Sequence, residues 1–138
     1  MTNILVLCTG NSCRSQMAEG FLRYFAGRTA TVFSAGIETH GLNPRAVQVM
    51  AEDGVDISAH TSNHIDEYRE IPFDLVLTVC DHAKENCPWF PSSATRVHVS
   101  FTDPARATGS PEEQLEAFRK VRDEIRSFCQ EFVKSHVK

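Results

Sequence analysis

The chain has 138 residues, of which 41% are hydrophobic and 23% charged, and its formal net charge is −4. This length and composition fit one globular domain, residues 1–138. The acidic balance argues against a nucleic-acid or membrane partner, and no apolar stretch approaches the roughly 20 residues of a membrane span. Residues 1–3 lack an export signal, so we expect a cytoplasmic monomer whose five cysteines are reduced, catalytic or metal-bound.

The first half of the sequence predicts alternating strands and helices. The apolar run at residues 4–7 is typical of a parallel strand buried on both faces. A helix should follow and end at Gly27, with one apolar face formed by Met17, Ala18, Phe21, Leu22 and Phe25. Residues 31–33 predict a second strand. Asn43 and Pro44 predict the start of a helix, with a core face formed by Val47, Met50 and Ala51.

The second half continues the alternation. Residues 60–68 predict a short helix or turn, residues 74–79 a third strand and residues 97–99 a fourth. Ser110 with Glu113 forms a capping-box pattern, followed by apolar positions at Leu115, Phe118, Val121, Ile125, Phe128 and Phe132. The alternation predicts a three-layer α/β sandwich, a central four-stranded parallel sheet flanked by helices. Ligands of such sheets bind at the carboxyl ends of the strands, where Cys8 and Cys80 are expected.

A loop of small residues directly follows the first strand. It consists of Cys8, Thr9, Gly10, Asn11, Ser12, Cys13, Arg14 and Ser15. Backbone N–H groups and the start of the next helix can bind a tetrahedral oxyanion there, and Arg14 can clamp it through two hydrogen bonds. The same groups and the Ser15 hydroxyl should lower the pKa of Cys8 and make it a nucleophile. The alternative is a buried cysteine beside an unrelated arginine.

Three segments of the sequence resemble the thioredoxin-coupled arsenate reductases, which have the low-molecular-weight protein tyrosine phosphatase fold. The segments are CTGNSCRSQMAEG at residues 8–20, SAGIETH at residues 34–40 and VRDEI at residues 121–125. The resemblance implies that Cys8 attacks arsenate within the loop and that Arg14 holds the oxyanion. It also implies thioredoxin as the electron donor. We expect no cofactor, and potassium is the one metal ion left open.

The pair Asp103 and Pro104 is a candidate acid. Sulfur attack on an oxyanion needs a proton donor for the departing oxygen, and a loop carboxyl group can supply it. On its own, an Asp-Pro pair is typical of a turn. The resemblance implies that Asp103 is the general acid.

Cys80 and Cys87 distinguish a reductase from a phosphatase. Reduction of As(V) to As(III) needs two electrons, hence a second thiol. In a helix the two residues would be roughly 10 Å apart, whereas a disulfide needs Cα atoms within about 7 Å, so pairing requires unwinding. We hypothesise a relay in which a Cys8–Cys80 disulfide forms first and a Cys80–Cys87 disulfide second, and the resemblance implies the same order. The alternatives are a core cysteine with a surface thiol, or a zinc site with His82.

The other candidate groups leave two interpretations open. Asn11, Glu19 and Ser34 match a potassium site of some relatives, but Asn63 stands where that site has an aspartate, which should weaken cation binding. Alternatively, these residues brace the loop by hydrogen bonds. Cys129 is expected in the core, and His40 and His60 are given no catalytic role.

Three functions are compared for the chain. An arsenate reductase is favoured over a tyrosine phosphatase, because no aromatic residue follows Pro104 to contact an aryl substrate. Weak phosphatase activity is still expected, since phosphate and arsenate share shape and charge. A binding module without turnover is the third candidate. The spacing of Cys80 and Cys87 favours thioredoxin over glutaredoxin as the reductant.

Overall fold

The computed structural model describes residues 2–81 and 93–137. Its elements in chain order are β1 (Thr2–Leu7), α1 (Arg14–Ala26), β2 (Ala30–Ala35), α2 (Pro44–Glu52), β3 (Leu75–Thr78), β4 (Thr95–His98) and α3 (Pro111–His136). Short 3₁₀ turns lie between them at Gly27–Thr29, Ile65–Tyr68 and Pro104–Arg106. The predicted order of elements is confirmed, with strand ends that differ by a residue or two.

The described strands form one parallel sheet in the order β2-β1-β3-β4. The first strand, β1, therefore lies between β2 and β3, and its last residue, Leu7, is paired with Ala35 on one side and Thr78 on the other. The carboxyl ends of these three strands meet at one edge of the sheet. The predicted four-stranded parallel sheet is confirmed.

Side chains of β1 alternate between two apolar clusters, as the two-residue period of a strand requires. Ile4 and Val6 pack in the cluster that contains the buried faces of α1, α2 and α3. Leu5 and Leu7 pack on the opposite face, in a cluster completed by Ala35, Ile65, Phe73 and Val76. All four β1 side chains are fully buried, which explains why the predicted strand is a continuous apolar run.

Side chains cap the N-termini of α2 and α3 but not that of α1. The predicted capping box of α3 is present, because Ser110 Oγ accepts a hydrogen bond from Glu113 N at 3.2 Å and Glu113 Oε1 accepts one from Ser110 N at 3.1 Å. Asn43 Oδ1 caps α2 by accepting from Arg45 N at 2.8 Å. In contrast, no side chain caps α1, which follows Cys13. An anion can take the place of that cap.

The predicted core face of α2 is wrong in part. Ala46, Val49 and Met50 are buried, whereas Ala51 is exposed and Val47 only half-buried. Both triplets, the predicted and the observed, have the spacing i, i+3, i+4 of one helix face. Spacing alone therefore could not select between them, and packing of α2 against α3 did.

The long helix α3 is held to α2 by ion pairs. Arg119 and Arg122 bind the carboxylate of Glu52, and Arg126 binds that of Asp53. The apolar face of α3 packs mainly against α1 and α2, and Cys129 lies fully buried in the same apolar cluster. Among residues 2–81 and 93–137, no helix combines the length and apolar character that a membrane crossing requires.

Candidate active site

The two cysteines at the strand ends lie on neighbouring strands. Cys8 directly follows β1, and its N–H donates to Ala35 O of β2 at 3.2 Å. Cys80 is two residues beyond β3, where Val79 N donates to Leu7 O at 3.0 Å. Both cysteines are buried. The structure therefore confirms the prediction that they lie at the same edge of the sheet.

The carbonyl groups of the Cys8 loop (residues 8–15) are tied to the surrounding chain. The acceptor and donor pairs are Thr9 O with Glu38 N (3.1 Å), Gly10 O with His40 N (3.1 Å), Asn11 O with Gln16 Nε2 (3.1 Å), Ser12 O with Asn43 N (3.1 Å) and Cys13 O with Met17 N (2.9 Å). The peptide bonds in the described chain are trans, so the N–H that follows each carbonyl points the opposite way. The N–H groups of residues 10–14 therefore face the inside of the loop. An anion there would meet donors rather than carbonyl oxygens.

Asn11 fixes the bend of the Cys8 loop. It is the only non-glycine residue with a positive φ, 47°, in the described chain, and its side chain is fully buried. Asn11 Oδ1 accepts from Asn63 N at 2.7 Å, and Nδ2 donates to Ser15 Oγ at 2.8 Å and to Ser34 Oγ at 3.0 Å. Asparagine tolerates this left-handed conformation better than most residues. Three buried hydrogen bonds hold it in place.

Arg14 and Asp103 meet beside the Cys8 loop. Arg14 is almost fully buried, its Nη1 donates to Phe101 O at 3.1 Å, and its Nη2 lies 3.7 Å from Asp103 Oδ2. Asp103 Oδ1 accepts from Ala105 N at 3.0 Å. Two residues that are far apart in sequence, and that were predicted as anion clamp and acid, are thus in contact.

The sulfur of Cys13 faces the same carboxylate. Cys13 Sγ lies 3.7 Å from Asp103 Oδ1. Burial, followed by the charge of Asp103, raises the pKa of Cys13 to about 12. Cys13 is therefore a neutral thiol near pH 7, in agreement with a supporting rather than nucleophilic role.

A cavity of about 190 Å³ opens over the Cys8 loop. Besides the loop, its lining in the described residues consists of Glu38, His40, Asp103, Ala105 and Arg106. In the described residues this lining contains no Phe, Tyr or Trp ring, and its one aromatic group is the imidazole of His40. The backbone N–H groups of the loop and Arg14 offer donors that suit a small tetrahedral anion.

The residues of the possible potassium site are engaged with one another. Glu19 Oε1 accepts from Ser34 Oγ at 2.6 Å, and Glu19 Oε2 accepts from Arg23 Nε at 2.9 Å. The Asn63 side chain bonds instead to Thr61 and Glu67. These contacts show the hydrogen bonds that the bracing interpretation expects, and potassium binding stays an untested prediction.

The oxidation states of the cysteines differ. Cys80 is disulfide-bonded, whereas Cys8, Cys13 and Cys129 are in no disulfide. Cys87 lies outside the described residues, and so do His82 and the rest of residues 82–92, so the Cys80–Cys87 pairing stays a prediction. Burial raises the pKa of Cys129, which agrees with its place in the core.

Two residues important for this geometry were not singled out from the sequence. Gln16 is fully buried and bonds to the Cys8 loop. Gly36 lies so close to the loop that a Cβ atom would fall 2.5 Å from Thr9 O and 2.8 Å from Cys8 O. Both lie in the segments that resemble the arsenate reductases, CTGNSCRSQ and SAG. The resemblance therefore included these two residues, but the sequence did not show what they do.

Gly36→Ala is expected to weaken the binding of inorganic phosphate by roughly 10- to 100-fold. The added methyl group would press on backbone oxygens of the Cys8 loop, which cannot swing aside as a flexible side chain does, and small displacements of a binding loop have large effects. Calorimetric titration with phosphate measures the change. Gly54→Ala, at φ +80° with nothing within 4 Å of the new Cβ, is the control for backbone strain alone. Equal phosphate affinity in both variants would contradict the steric argument.

Comparisons with known proteins agree with this geometry. A family model described as low molecular weight phosphotyrosine protein phosphatase matches residues 3–138. A protein named arsenate reductase from Halalkalibacterium halodurans is 55% identical over 122 residues, covering 88% of each chain. Another of that name, from Bacillus subtilis, is 51% identical over 132 residues, covering 96% of this chain and 95% of its own. A solved structure of an arsenate reductase in the phosphate binding state has a TM-score of 0.79, 31% identity and 98% coverage of both chains.

Proposed function

Since the chain belongs to the low molecular weight phosphotyrosine protein phosphatase family, and relatives at 51% and 55% identity are arsenate reductases by name, we propose that it reduces arsenate to arsenite. The observation that carries the proposal is the state of two cysteines on neighbouring strands. Cys8, inside the anion-binding loop, is in no disulfide, while Cys80 is disulfide-bonded. The phosphatase reaction needs one nucleophilic cysteine and water, and it does not require an oxidisable thiol such as that of Cys80.

The first step is formation of a sulfur–arsenic bond. Arsenate binds to the N–H groups of the Cys8 loop, and Arg14 binds two of its oxygens. The Cys8 thiolate attacks arsenic, one As–O bond breaks, and the departing oxygen leaves as water after taking a proton from Asp103. Arsenic is still As(V) in this adduct. The proximity of Arg14 and Asp103 supports this division of roles.

The second step is the reduction. The thiolate of Cys80 attacks the sulfur of Cys8, a Cys8–Cys80 disulfide forms, and the electron pair of the S–As bond moves to arsenic. Arsenic leaves as arsenite, As(III). The two electrons come from the two thiolates. The adjacency of β1 and β3 supports a direct attack.

The third step returns Cys8 to its starting state. Cys87 attacks Cys80, which releases Cys8 as a thiol and leaves a Cys80–Cys87 disulfide for thioredoxin to reduce. A reduced Cys8 and a disulfide-bonded Cys80 are the states that this step would leave. The cytoplasm, where thioredoxin keeps thiols reduced, is the expected compartment, and a monomer is the expected form.

The test is arsenate-dependent oxidation of NADPH with thioredoxin and thioredoxin reductase supplied. We expect many turnovers in the wild type, none in Cys8→Ala, and wild-type rates in Cys129→Ala, whose buried thiol lies beside Ala18 O and does not line the cavity over the Cys8 loop. Hydrolysis of a phosphate ester without arsenate-dependent oxidation would instead favour the phosphatase function. Stoichiometric arsenate binding without turnover would favour a binding module.

A further inference from the structure

One peptide of the Cys8 loop is oriented by a side chain alone. Of the five carbonyls at residues 9–13, four accept hydrogen bonds from backbone N–H groups of neighbouring segments. The exception within these five is Asn11 O, which accepts from Gln16 Nε2 at 3.1 Å. A side-chain substitution does not remove a backbone N–H donor. Of these five carbonyls, Asn11 O is therefore the one whose donor is lost when the Gln16 side chain is replaced.

Gln16 is itself held in one orientation. Its Nε2 donates to Asn11 O and also to Thr61 O at 2.9 Å, and its Oε1 lies 3.1 Å from His60 Nδ1. A flipped amide would set Oε1 against two carbonyl oxygens, which also accept and cannot donate. His60 Nε2 lies 3.6 Å from Glu19 Oε2, and because the amide oxygen of Gln16 can only accept, Nδ1–H of His60 is the donor to it. Every polar atom of this fully buried side chain therefore has a fixed partner.

We propose that Gln16 is a positioning residue for the oxyanion loop, an inference that rests on the proposed use of that loop to bind arsenate. By holding Asn11 O toward α1, Gln16 turns the following Ser12 N–H toward the anion. Without that bond, no hydrogen bond to Asn11 O opposes rotation of the Asn11–Ser12 peptide, although the Asn11 side chain keeps its own three hydrogen bonds. Rotation would replace a donor inside the loop by a carbonyl oxygen, which repels an anion.

The experiment measures the binding of inorganic phosphate to Gln16→Met and Gln16→Leu. Both variants keep the volume of the side chain and remove its donor. We expect the dissociation constant for phosphate to rise about tenfold or more, the effect of losing one charge-assisted hydrogen bond. Ultraviolet titration of the Cys8 thiolate should show a higher pKa in both variants, since the loop then offers fewer donors to negative charge. Two variants guard against one failing to fold.

The matched control is Gln114→Leu. Gln114 lies on α3 and bonds to Arg45 Nη1 and Gly109 O, so its loss tests stability without touching the Cys8 loop. It should lower the melting temperature and leave phosphate binding unchanged. If the Gln16 variants also lose only stability and bind phosphate as the wild type does, Gln16 is a structural residue and the inference is overturned.

Failure of the proposed function gives a different result. A wild-type protein that binds no phosphate would overturn the oxyanion loop itself, and with it the role of Gln16. A wild-type protein that binds phosphate but does not reduce arsenate would overturn only the redox function. In that case the tenfold difference between the wild type and Gln16→Met would still support the positioning role.

Discussion

Cys87→Ser is expected to release about one arsenite per chain and then stop, while the wild type continues. In the variant, Cys8 still forms the adduct and Cys80 still reduces it, but the Cys8–Cys80 disulfide has no internal thiol to resolve it. Both of its cysteines lie on buried positions at the edge of the sheet, where a thioredoxin dithiol has poor access. Rapid-quench measurement of arsenite, followed by steady-state NADPH oxidation, separates the single event from turnover.

Cys80→Ser provides the companion result. Without Cys80 no thiol stands beside the adduct on the neighbouring strand, so we expect no arsenite even in the first turnover. Non-reducing mass analysis should find a Cys8–Cys80 disulfide in the Cys87→Ser protein after arsenate. Full multiple turnover in Cys87→Ser would contradict the three-cysteine relay and support a cycle that uses only Cys8 and Cys80.

Arg14→Lys is expected to raise the KM for arsenate about 10- to 100-fold, although the positive charge is kept. The guanidinium is oriented by Phe101 O and lies beside Asp103, so its planar fork is aligned before the anion arrives. An ammonium group offers no paired, parallel donors, and each lost hydrogen bond to a charged group costs roughly 1.5–3 kcal/mol. Initial rates over a range of arsenate concentrations, together with phosphate titration, measure the effect.

Arg106→Lys is the matched control for charge. Arg106 Nε also lies 3.7 Å from Asp103 Oδ2, but the side chain is 66% exposed. Exposed ion pairs contribute little, so we expect a change within about twofold. Both variants keep the positive charge, so similar losses in the two would show that the buried, aligned fork of Arg14 has no special part in binding, and would contradict the argument.

Local patterns in the sequence predicted the elements of the fold well. The buried strand β1, the capping box at Ser110 and the start of α2 at Asn43 depend on residues next to one another, and all three are confirmed. The exposed Ala51 shows the limit, because two faces of α2 had the same spacing. Only contacts with another helix, remote in sequence, decided between them.

The sequence predicted those site residues that carry a reactive group. It did not predict those whose role depends only on where folding places them. Cys8, Arg14 and the second cysteine stand out by reactivity. The contact of Asp103 with the loop spans 90 residues and was expected only from resemblance. Gln16 and Gly36 carry no reactive group, and their roles come from atoms that folding brings near: Thr61 is 45 residues from Gln16. Such roles depend on tertiary distance, which no local pattern contains.

The outward-tied carbonyls of residues 9–13 have a consequence for how the protein tells its substrate from a common competitor. A ring of backbone donors selects an anion by its charge and tetrahedral shape, and phosphate and arsenate share both properties. Discrimination by affinity is therefore weak at this loop, and selection falls to the step after binding. Phosphate does not oxidise a thiol and dissociates without being reduced, whereas arsenic accepts the electron pair of the S–As bond. The protein sorts the two anions by redox reactivity, and abundant phosphate slows it as a competitor without consuming reducing power.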